Sequence, residues 1–131
     1  MRKAPQRSGG NRSGWPAEIV VFVTTSTEEE AARISRTVVE ARLAACANII
    51  PRIRSIYHWE GKTADESEAL VVLKTRSNLF QTLEREVKRL HTYKTPEIIA
   101  LPIQHGSTSY LQWIHAETSK PLKRDLNTKS I

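Results

Sequence analysis

The chain has 131 residues, 39% of them hydrophobic and 26% charged, and a formal net charge of +6. That is enough for one domain with a modest core, and the balance is that of a globular protein in water. No apolar run approaches the roughly 20 residues of a membrane helix, and no apolar stretch follows the basic N-terminus, so neither a membrane span nor a secretory signal is expected.

The positive charge belongs to the ends. Residues 1–17 carry Arg2, Lys3, Arg7 and Arg12 with no acid, and residues 119–131 carry Lys120, Lys123, Arg124 and Lys129 against Asp125. The middle is close to neutral, which argues for two solvated basic tails on an ordinary domain rather than a nucleic-acid binder. The first tail is also rich in Gly, Ser, Pro and Asn, a composition that stays disordered. The reading is therefore a disordered basic tail at 1–17, one domain at 18–118 and a basic tail at 119–131. A single cysteine, Cys46, permits no internal disulfide, which fits a reducing, cytoplasmic compartment.

Glu18–Thr24 is a short β-branched run and reads as a central strand. Thr27 and Glu30 have the spacing of a capping box, and Ala31, Ile34, Val38 and Ala41 then repeat along one helical face. Cys46–Trp59 reads as a long strand, interrupted at Pro51, where a bulge or an edge is expected. After Pro51 the pattern alternates, with Ile53, Ser55, Tyr57 and Trp59 on one side and Arg52, Arg54, Ile56 and His58 on the other. A strand of that length exceeds what a small core needs, and it reads as an arm that reaches a partner. Gly61 and the polar run to Ser67 read as a turn, and Glu68–Thr75 as the next strand. Ser77 or Asn78 is expected to cap a second helix with Phe80, Leu83, Val87 and Leu90 inward, ending before Pro96. Glu97–Ile103 reads as a strand that is an edge or bulged, because of Pro102, and Ser107 as the cap of a short third helix through Ile114.

The order β-α-β-β-α-β plus one helix is that of an α+β, ferredoxin-like sandwich. Right-handed crossovers put both long helices on one sheet face and leave the other bare. Ile19–Val23 and Leu70–Leu73 are apolar on both faces, so a bare apolar face asks for a partner and the chain is expected to form an oligomer.

The segments ARLAACANIIP (41–51), SIYHWEGK (55–62), LKT (73–75), TPEIIALPI (95–103) and GSTSYLQWI (106–114) resemble the CutA-type divalent-cation tolerance proteins, in one register over about residues 18–117. The resemblance implies a ferredoxin-like protomer related in fold to the PII signalling proteins. It also implies a homotrimer in which the long hairpin embraces a neighbour, a link to tolerance of copper and other divalent metals, and no established enzymatic reaction. Family members described as copper-binding use a cysteine at the end of the first strand and paired histidines before the TPE motif. The matching positions are Val23, Leu90 and His91, of which only His91 can be a ligand. Any divalent site, copper included, is then expected at His91 with Glu97 as helper, and is expected to be weak. A helix C-terminal histidine is the plainer reading of His91.

The remaining candidates read more plainly as structure. Cys46 lies among alanines and reads as a small core residue. His58 and Glu60 read as a solvated strand face, His105 and His115 as surface, and Tyr57 and Trp59 as interface aromatics. Lys74 reads as a salt-bridge partner of Glu97. No phosphate loop, nucleophile elbow, H-E-x-x-H or C-x-x-C occurs, so no enzyme is expected. An RNA-recognition motif shares the element order but needs aromatics on its third strand, where Glu68–Leu73 has none. Two functions remain, a trimeric protein that binds a metal ion or small ligand and a trimeric assembly or signalling scaffold.

Overall fold

The computed structural model describes residues 17–119. The tails expected at 1–17 and 119–131 lie outside the described residues, save Ala17 and Ser119 at their inner ends. Between them the chain runs β1 (Glu18–Thr25), α1 (Glu28–Glu40), β2 (Cys46–Trp59), β3 (Lys62–Arg76), α2 (Phe80–Leu90), β4 (Ile98–Pro102) and α3 (Thr108–Glu117). The four strands form one sheet in the order β2-β3-β1-β4, every neighbouring pair antiparallel. This is the ferredoxin-like α+β fold.

The core lies between the sheet and the two long helices. Ile19, Val21 and Val23 of β1 and Ala69, Val71 and Leu73 of β3 meet Ala31, Ile34 and Val38 of α1 and Leu83 and Val87 of α2, all essentially buried. The period of two on the strands and of 3.6 on the helices brings these sets together. α1 starts as its capping box predicts, Glu30 donating its backbone N–H to Thr27 Oγ1 at 3.1 Å.

Two expectations are corrected here. The polar run Lys62–Ser67 is strand, not turn, and pairs with Arg54–Trp59 to make the arm a two-stranded hairpin. Its turn is the pair Glu60-Gly61, both at positive φ (51° and 79°), the geometry that lets a two-residue loop follow strand twist. The second helix is entered through a 3-10 turn, Ser77–Leu79, and has no side-chain cap. The break at Pro51 is a register shift between Ile50 and Ile53, as expected. β4 is an edge strand with Pro102 at its end, which leaves no ladder bond missing.

The sheet face away from α1 and α2 is covered in part by α3, whose Tyr110 hydroxyl lies 3.6 Å from Cys46 Sγ, and the rest of it remains open. Pairing aligns Asn48, Val72, Phe22 and Ile99 in one row across it, and Cys46, Lys74, Val20 and Leu101 in the next. Ile50, Ile99 and Leu101 stay 45 to 50% exposed there. β1 ends opposite Ala69, so the hairpin from Ile53 to Glu68 runs on alone for about 20 Å. Ile56 and Trp59 stand exposed toward its tip.

Candidate functional site

A buried polar network forms where α2 ends and the connection 91–97 crosses to β4. Glu30 is the hub. Its place at the third position of α1 turns its carboxylate back to Ser26, whose N–H and hydroxyl reach Oε1 at 3.2 and 3.1 Å. Oε2 accepts the N–H and hydroxyl of Thr92 at 2.8 and 2.9 Å. Burial pushes this carboxyl up, but the bonds from Thr92 and Ser26 together outweigh it and hold it below the ordinary carboxylate range. The start of α1 is thereby tied to the connection.

His91 caps the end of α2 and its side chain is fully buried. Nε2 lies 2.7 Å from the Thr24 carbonyl, and Nδ1 accepts the Tyr93 N–H at 3.0 Å. The ring packs against Tyr93, centroids 4.8 Å apart. The Tyr93 hydroxyl donates to Glu68 Oε2 at 2.6 Å, and burial followed by that bond pushes its pKa far above the usual tyrosine value. Further out on the arm the Tyr57 hydroxyl donates to Glu66 Oε1 at 3.0 Å. Glu97 has its carboxyl raised, first by burial and then by the charge of Glu68. Among the described residues no hydrogen bond or ion pair joins Glu97 to His91 or to any other group.

Lys74 does not meet Glu97. Its Nζ bonds Asn48 Oδ1. The register places Lys74 opposite Val20, whereas Glu97 precedes Ile98 opposite Val23, about 10 Å further along the sheet. Cys46 is half-buried on the open face rather than in the core, with the Tyr110 hydroxyl at 3.6 Å. Val23 is buried in the core, and Leu90 packs against it. His58 and Glu60 are exposed on the arm; His105, between β4 and α3, and His115, on α3, are exposed too. Among the described residues no three of His, Cys, Asp and Glu are grouped so that they can hold a metal ion.

Spacing alone missed the reach of Glu30. Its capping role was visible, but its second oxygen binds a residue 62 positions away, which leaves no local signal. The same holds for Tyr93 and Glu68.

The CutA1 divalent ion tolerance protein family matches residues 19–117. Protein CutA of Mus musculus is 48% identical over 97 residues, 74% of this chain and 55% of that protein, so this chain spans about half its length. The divalent-cation tolerance protein CutA of Thermus thermophilus is 46% identical over 101 residues, 77% of this chain and 98% of that one. The crystal structure of CutA1 from Oryza sativa superposes with a TM-score of 0.77 at 42% identity, covering 81% of this chain and 97% of that chain. The family match over residues 19–117 and the structural superposition agree, and the chain belongs to the CutA1 divalent ion tolerance protein family.

Proposed function

We propose that the protein serves divalent-cation tolerance as a homotrimer, with no catalytic step of its own. The observation that carries this is the open face together with the arm. A lone two-stranded hairpin is marginal in water, and an apolar sheet face is costly to leave wet. Both are satisfied at once if each copy lays its arm along a neighbour and closes the three faces inward. A divalent ion such as copper, or a small ligand, is then taken at clefts between subunits, where donors from two chains add. Glu97, at the entry to the edge strand β4, is the carboxylate this chain offers there. The lack of a three-donor group within the described part of one chain supports placing the ligand between chains. One unpaired cysteine also supports a reducing, cytoplasmic setting.

Sedimentation velocity at micromolar concentration tests the assembly, with a trimer expected and a monomer or dimer overturning it. Metal titration of the purified trimer separates this reading from a scaffold that presents its surface to another protein. The scaffold is favoured if copper and zinc both leave the protein unchanged.

A further inference from the structure

A divalent ion bound by histidine needs a free lone pair on a neutral ring and further donors within reach. The surroundings of His91 supply neither. The Thr24 carbonyl can only accept, so the ring nitrogen 2.7 Å from it, Nε2, carries the proton. The lone pair is left on Nδ1, and the Tyr93 N–H takes it at 3.0 Å. Glu30 Oε2 lies 3.4 Å from Nδ1 but already accepts two bonds from Thr92. The side chain is fully buried, so no face of the ring is open to solvent.

We infer that His91 is a hydrogen-bonding staple, locked in its Nε2–H form, and not a ligand for the divalent ions with which the family is associated. It ties the end of β1 to the end of α2 and fixes the first turn of the connection that delivers Glu97 to β4. Metal access to Nδ1 requires breaking the Tyr93 bond and opening the buried packing around the ring. Divalent ions engage the protein elsewhere, and His91 acts by positioning backbone.

Nitrogen-15 spectra of the full protein, recorded with and without zinc chloride, test this directly. The expected result is an Nε2–H tautomer for His91 whose signals stay in place through several equivalents of zinc. Zinc isotherms of wild type and His91→Gln are expected to superimpose. Melting temperatures are expected to fall in the order wild type, His91→Gln, His91→Ala, because glutamine keeps a donor for Thr24 and alanine keeps none. Movement of the His91 signals at stoichiometric zinc, or a switch of its proton from Nε2 to Nδ1 on adding zinc, overturns the inference. If His91→Ala does not fold, the spectra and the glutamine variant decide alone.

Discussion

Arg42 and Glu117, 75 positions apart, are joined by an Nη1–Oε1 contact of 2.9 Å, and Arg42 sits in the left-handed region at φ 64°. The helix end there is a Schellman motif, with Leu43 N–H bonding Val38 O and Arg42 N–H bonding Val39 O. Glycine is the usual occupant of that position, and an arginine pays about 1 kcal/mol for it. The tie to α3 offsets part of this, since a partly exposed pair contributes up to about 1 kcal/mol. Arg42→Gly is therefore expected to be neutral within about 1 kcal/mol, whereas Arg42→Ala keeps the backbone cost, loses the tie and is destabilised by about 1 kcal/mol. Urea unfolding of the two variants side by side checks the difference, and equal losses would refute it.

Ser35 is buried on α1, and its hydroxyl has no hydrogen-bond partner among the described residues. An unsatisfied buried hydroxyl is unfavourable, and alanine is the better helix former. Ser35→Ala is expected to raise stability by about 1 kcal/mol, measured by denaturant midpoint, and a destabilised variant would show that the hydroxyl has a role the geometry does not reveal.

Glu30 and Glu97 should leave opposite marks on the pH dependence of unfolding. The Glu30 carboxyl is held low in the fold, so its stabilisation is present above the unfolded carboxylate pKa and is lost as pH falls through the folded value. Glu30→Gln should lower stability at pH 7 and flatten the loss below about pH 4.5.

Glu97 is held high, so its ionised form disfavours the fold at neutral pH and the penalty lifts as pH falls through its raised value. Glu97→Gln should be as stable as wild type or more so at pH 7, with the gain vanishing toward acid. Thermal melts between pH 3 and 8 on the four proteins, wild type, both single variants and the pair, read both signs; two variants shifting the same way would contradict the assignment.

Leu101→Glu places a charge on the open face without touching the core side of the sheet. If that face is the subunit contact, the variant should sediment as a smaller species and melt well below wild type. Wild-type melting should rise with protein concentration wherever unfolding is reversible, because obligate contacts behave as core. An unchanged trimer in Leu101→Glu would move the contact elsewhere.

The sequence by itself determined what depends on near neighbours. Helical spacing in Ala31, Ile34 and Val38, the capping pair Thr27 and Glu30, and the β-branched runs around Val21 and Val71 set the elements, and their order admitted one topology. Pro51 announced its bulge because proline lacks the ladder donor whatever surrounds it. What only the tertiary structure decided was pairing over distance. Thr63–Ser67 has no apolar alternation and looks like a turn; it is a strand because Arg54–His58 pairs with it. His91 read as a helix C-terminal histidine or a weak metal ligand; the carbonyl that claims its proton comes from Thr24, 67 positions earlier. Lys74 and Glu97 looked like partners, and the sheet register set them apart. Side-chain type fixes which bonds a residue is able to make, and the packing of distant elements selects the one it does make.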